Sequence, residues 1–129
     1  FPYTTLFRSG DRRFLNLGHT LGHAIEKLSG YTFSHGHAVA VGMVMIARAG
    51  EKLGITGPGT ASEIAENLRL NRLPVSCPYG AEELYAASLG DKKRMGGSIT
   101  IIVPEKIGSC RLIKLAVEEL RKIAELAVE

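Results

Sequence analysis

Tryptophan is absent from the 129-residue chain, and cysteine and proline are scarce, with two and five copies. Cys77 and Cys110 lie far apart and lack the short spacings of a metal knuckle or a disulfide framework. They are expected to stay reduced in a cytoplasm, with a disulfide left open on sequence grounds. Aromatic residues make up only 6% and never interleave with a block of basic ones. The net charge of +3 is spread along the chain, so no nucleic-acid partner is expected. No apolar run approaches the ~18 residues that span a bilayer, so no membrane partner is expected either. The opening segment FPYTTLFRSGDRR lacks the apolar stretch of a signal peptide. No G-x-G-x-x-G follows a strand-like run anywhere, so this chain is expected to carry no dinucleotide cradle of its own. What is present, 45% hydrophobic and 22% charged residues, is ordinary globular composition, enough for one domain with a core.

The chain opens on Phe1 rather than Met and is expected to be a fragment. Residues 1–9, FPYTTLFRS, read as the frame translation of a common short-read sequencing adapter. They are expected to be an artefact, with natural sequence from Gly10 onward; a natural but odd N-terminus is the alternative.

From there the periodicity predicts mostly helices. Leu17, Leu21, Ala24, Ile25 and Leu28 recur at helical spacing over 16–28, and Gly30 can end that helix. A second helix is expected over 37–53, apolar almost all round and therefore buried, with Gly54 just past its end. Residues 31–36 read as a connection. Thr60 followed by Glu63 is a capping-box signal for a helix over 61–70. A loop with two prolines covers 73–80, and a fourth helix is expected over 81–93, broken by Gly96 and Gly97. The β-branched run 98–103, a turn over 104–108 and a partner strand over 110–115 read as a hairpin. A last amphipathic helix covers 116–128. The sum is a mainly α, multi-helical domain with one small β-hairpin.

All four histidines fall within nineteen residues: His19, His23, His35 and His37. On a helix, His19 and His23, four apart, share one face. Gly18 and Gly22 precede them and leave room for a ligand or another backbone. His35 returns from the following connection, so three imidazoles can converge on a divalent metal, zinc first among nitrogen-bound candidates. A polar helix surface is the competing reading of such a pair, and His37 alone reads as a surface residue at a helix start.

Two blocks sharpen this. GDRRFLNLGHTLGHAIE over 10–26, then SHGHAVAVGM over 34–43, resemble the 3-dehydroquinate synthase motif G-L-R-x-x-L-N-x-G-H-T-x-G-H-A followed by H-G-E-A-V-A-x-G-M. Weaker agreement continues through LNRLPVSCP and GDKKRMGGSITIIVPEKIG. The resemblance covers most of 10–129 and implies the metal-binding C-terminal helical domain of that family, a branch of the sugar-phosphate cyclases. It implies conversion of 3-deoxy-arabino-heptulosonate 7-phosphate to 3-dehydroquinate and phosphate in the shikimate pathway, a carbon–oxygen lyase reaction. It also implies NAD+, a divalent metal (zinc or cobalt), a cytoplasmic location and a full-length homodimer. By motif position it implies His19 and His35 as metal ligands and His23 as the proton-transfer residue beside the substrate's phosphate. Arg12, Asn16 and one or both of Lys92 and Lys93 fall at substrate-contacting positions; without the resemblance these four read as helix-start and turn residues. Two departures stand out. His37 replaces a glutamate common in the family, and the third metal ligand, a glutamate, together with the NAD-binding half, is expected outside this chain. The 129 residues alone are therefore expected to be inactive. Alternatives are another cyclase or a polyol dehydrogenase of the same fold, or a stand-alone helical binding domain.

Overall fold

The computed structural model describes residues 16–89 and 97–128. Residues 1–9, expected to be adapter-derived, lie outside the described residues, as do Arg12, Lys92 and Lys93.

Among the described residues five α-helices and one hairpin form in the order α1 (His19–Leu28), α2 (His35–Lys52), α3 (Thr60–Leu70), α4 (Ala81–Leu89), β1 (Ser98–Lys106), β2 (Ser109–Ala116) and α5 (Leu120–Val128). The expected mainly α architecture is what folds, with several boundaries moved for local physical reasons. The first helix begins at His19, not at residue 16, because Gly18 takes the left-handed conformation (φ 81°) as its N-cap. The second begins at His35, two residues earlier than expected, because the Ser34 hydroxyl accepts from the His37 N–H and caps it.

Three helices, α1 to α3, end by one device. Tyr31 N–H donates to Glu26 O and Gly30 N–H to Lys27 O, the paired bonds of a Schellman stop, with Gly30 at φ 63°. Gly54 and Ile55 repeat it on α2, and Arg72 (φ 60°) and Leu73 on α3.

The Thr60–Glu63 capping box does not form. Gly59 is the N-cap of α3 and offers no side-chain cap, while the Thr60 hydroxyl donates to Gly57 O. The orphan N–H groups go instead to Glu51 of α2, whose carboxylate accepts from Gly59 (3.2 Å) and Ala61 (2.7 Å). A carboxylate there also meets the positive end of the helix dipole. Glu51→Ala is expected to cost about 1 kcal/mol. That lowers the urea midpoint by about 0.5 M, measurable by circular dichroism; an unchanged midpoint would show that α3 needs no cap from α2.

α2 is the central element, packed by α1, α3, α5 and β1. It buries ten residues, among them Val41, Val44, Met45 and Ile46, which is why it reads as apolar all round. The main core joins Leu21 and Ile25 of α1, Val41 and Met45 of α2, Leu84 of α4, Ile101 and Val103 of β1, and Leu120 and Ile123 of α5. A smaller cluster of Ala40, Val44, Ala65 and Leu68 sits between α2 and α3.

Gly42 lets α1 and α2 touch backbone to backbone: a Cβ there would lie 2.2 Å from Gly18 O. At Gly18 and Gly22 the added Cβ would meet the backbone of α2, at Met43 and Val39. Of the two partners the sequence leaves open for these glycines, the neighbouring helix is the one that approaches.

β1 and β2 pair antiparallel from Ser98↔Ala116 to Pro104↔Cys110, with an irregularity between Pro104 and Lys106. The strand runs through Pro104, expected in the turn, because in a two-stranded ribbon each strand is an edge and a missing N–H is tolerated. The turn contracts to Ile107 and Gly108 (φ 88°). Across it Glu105 accepts from Arg111 and Ser109, and these bonds hold its carboxyl below the ordinary range. The expected helix over 116–128 splits into a 3-10 turn, Val117–Glu119, and α5. Cations of α2 close the far end of α5: Arg48 donates to Ala127 O and Lys52 to Leu126 O, both at 2.9 Å. Both cysteines are free, and burial pushes each thiol up and away from the reactive thiolate. No helix among the described residues is long and apolar enough to cross a membrane.

Candidate metal centre

α1 projects His19, His23 and Glu26 along one stripe, at offsets of four and three residues. The loop between α1 and α2 is short and pinned at both ends, by the Schellman stop at Gly30 and the Ser34 cap. It returns the chain so that His35, first residue of α2, faces that stripe. The three rings form a triangle, with centroids 5.5 Å apart for His19–His23, 5.1 Å for His19–His35 and 5.8 Å for His23–His35. Two of them, His23 and His35, line an open hollow of about 230 Å³ together with Glu26, Lys27 and Tyr31.

That spacing can be tested against a metal. With Zn–N near 2.0–2.1 Å and a ring centre about 1.2 Å beyond the nitrogen, two imidazoles at a tetrahedral angle stand about 5 Å apart, centre to centre. The His19–His35 pair at 5.1 Å matches this separation. The donor atoms of His23, Glu26 and His35 also fall within 4.8 Å of one another, a second set that competes with the first. One distance bears on the choice. Glu26 Oε1 lies 2.9 Å from His35 Nδ1, whereas two ligands on one tetrahedral zinc stand about 3.4 Å apart. The contact is a hydrogen bond from Nδ1–H to the carboxylate, and in the neutral ring it leaves Nε2 of His35 as the nitrogen with a lone pair to offer a cation. His19 points its own Nδ1 at Leu17 O, at a longer 3.4 Å. Residues that fit a divalent cation are therefore present, in a nitrogen-rich set.

The other expected site residues divide. Asn16 is exposed in the turn before α1. His37 is exposed in the first turn of α2, outside the histidine triangle. Arg12, Lys92 and Lys93 fall outside the described residues. Glu26 and Tyr31 join the site beyond the residues expected from the sequence. Glu26 carries a signal in hindsight, since it extends the His19–His23 stripe by one more turn; Tyr31 carries none.

The family model of the 3-dehydroquinate synthase C-terminal domain matches residues 5–94. The chain is 44% identical over 114 residues to the 3-dehydroquinate synthase of Enterococcus faecalis strain OG1RF, covering 87% of this chain and 32% of that protein. To the enzyme of that name from Pyrococcus abyssi it is 47% identical over 103 residues, covering 80% and 30%. The chain thus spans about a third of the length of the curated relatives it matches. Among solved structures, the fold resembles 2-epi-5-epi-valiolone synthase from Streptomyces hygroscopicus subsp. jinggangensis 5008 with NAD+ and Zn2+ bound. The TM-score is 0.72 at 20% identity, over 92% of this chain and 34% of that one. It also resembles 2-deoxy-scyllo-inosose synthase complexed with carbaglucose-6-phosphate, NAD+ and Co2+, at a TM-score of 0.66 and 20% identity, over 85% of this chain and 32% of that one. The chain belongs to the 3-dehydroquinate synthase C-terminal family.

Proposed function

We propose that this chain supplies the metal-binding and phosphate-side half of a 3-dehydroquinate synthase active site, acting on 3-deoxy-arabino-heptulosonate 7-phosphate. The observation that carries the reading is the triangle of His19, His23 and His35 in a chain whose 44–47% identical relatives bear that enzyme's name. The cyclase neighbours with other products share only 20% identity and speak for the fold alone.

In this reading His19 and His35 hold the cation. A divalent metal there supplies Lewis acidity to a substrate hydroxyl. His23, on the same helix face and open to solvent, carries a proton on its ring and exchanges it at the substrate as phosphate leaves. Arg12, Lys92 and Lys93 neutralise the phosphate and carboxylate ends, and Asn16 orients a hydroxyl. α1 and α2, locked at their glycine crossing, keep His19, His23 and His35 in register. Hydride chemistry belongs to NAD+, for which the described residues offer no cradle. The reading places the full protein in the cytoplasm as a homodimer.

The 129 residues alone are expected to release no phosphate from that substrate with added zinc and NAD+. Residues 10–129, exchanged for the matching third of the Enterococcus faecalis enzyme, are expected to restore phosphate release to within about tenfold of the parent, since the substrate-contacting groups are exchanged for equivalents. A folded, NAD-binding chimera that releases none would contradict the assignment.

A further inference from the structure

We propose that Glu26 is the positioning residue of this centre: its carboxylate holds His35 in the Nδ1–H tautomer and turns Nε2 toward the cation. The inference rests on reading His35 as a metal ligand. His35 stands in the first turn of α2 with its side chain 56% exposed, and solvent by itself would leave its ring free to turn. Glu26 is its opposite, with a side chain only 15% exposed. The Glu26 backbone is fixed as well: its carbonyl accepts from Tyr31 N–H at 2.8 Å and from the Ser29 hydroxyl at 3.0 Å. Its neighbours Ala24 and Ile25 are fully buried. A fixed carboxylate 2.9 Å from Nδ1 makes one ring face and one tautomer the favoured state before any metal arrives. Metal-binding histidines commonly have such a partner on the other nitrogen. The stripe of His19, His23 and Glu26 thus carries a ligand, a proton carrier and an orienting group on one helix face.

The test uses the 129-residue chain. Nitrogen–proton correlation spectra of the imidazoles, recorded metal-free at pH 8, are expected to show the His35 proton on Nδ1. In Glu26→Ala it should move to Nε2, with the backbone spectrum otherwise kept. Zinc affinity, read by competition with a chromophoric chelator, is expected to fall about 10–100-fold in Glu26→Ala. The near-isosteric Glu26→Gln, whose carbonyl still accepts, should keep the tautomer and lie closer to the parent. An unchanged His35 tautomer in Glu26→Ala overturns the proposal. So does a tautomer that moves without any loss of zinc. Equal zinc loss in both variants with the tautomer unmoved would make Glu26 a ligand and overturn the positioning role. Zinc affinity indifferent to His35→Ala is a different failure, one that removes the metal reading and takes this inference with it.

Discussion

His35→Ala is expected to weaken zinc or cobalt binding by this chain more than about a hundredfold. An orienting partner alone is worth about 10–100-fold, and His35 is read as a ligand itself, so its loss should exceed that range. Two protein nitrogens are already fewer than the three or four that zinc sites normally use, and one would leave little more than hydrated metal. The side chain is exposed, so its removal should barely touch stability. His37→Ala is the control. It removes an imidazole two residues away, also exposed in the first turn of α2 but outside the triangle, and should leave affinity within about twofold. Isothermal titration of both variants against the parent decides the matter. Equal losses would mean that any histidine near this helix start attracts metal, and the centre would dissolve into a histidine-rich surface.

Gly42→Ala is expected to damage the α1–α2 crossing with a single methyl group. Its Cβ would sit 2.2 Å from Gly18 O, at the N-cap of α1, and 3.0 Å from Gly22 N within it, both backbone atoms. Backbone cannot swing aside as a side chain can, least of all here, because Gly18 O already accepts the Gly22 N–H at 2.8 Å as part of the first turn. The helices must separate, and overpacking against backbone stands at the upper end of the usual cost, about 3 kcal/mol. Alanine's better helix propensity returns about 1 kcal/mol, so a net loss of about 2 kcal/mol and a melting point lower by about 10 °C are expected. The site should suffer too, since Gly18 leads directly into His19 and separation of α1 from α2 moves that ring away from His35. Gly36→Ala supplies the contrast: it lies in the same helix, nothing stands within 4 Å of its added Cβ, and it should stabilise by up to about 1 kcal/mol. A melting point for Gly42→Ala at or above the parent's would show that the crossing is loose.

Much of this architecture is legible in the sequence because it is local. The 3.6-residue recurrence in α1, the all-apolar stretch of α2, the glycines at positions 30 and 54 and the β-branched run of β1 each act through neighbours a few residues away. The misreadings share a cause, since each turns on a partner far along the chain or on competition between near-equal local choices. Thr60 is a good cap by type, yet the helix starts one residue earlier, with Gly59 as its N-cap and Glu51 of the preceding helix accepting from the Gly59 and Ala61 N–H groups. His35 looks like loop because Ser34 precedes it without a glutamate at the third position, so the capping box is incomplete although the cap forms. Gly18 and Gly22 announce a close approach without saying of what; the answer, Val39 to Met43, lies in the next helix. In the site, the His19–His23 pairing follows from helix geometry. The Glu26–His35 contact joins residues nine apart across a turn, and no periodicity reports it. The carry-over of Arg12, Lys92 and Lys93 rests on motif position.

The central claim is that His19 and His35 share one cation. Crystals of the chain soaked in zinc, with diffraction recorded on both sides of the zinc absorption edge, test it most directly. One anomalous peak per chain is expected about 2.0–2.1 Å from a ring nitrogen of each of His19 and His35, with Glu26 still bonded to His35 Nδ1 rather than to the metal. A peak held by His23, Glu26 and His35 with His19 turned away, or no peak at the triangle at all, would contradict it.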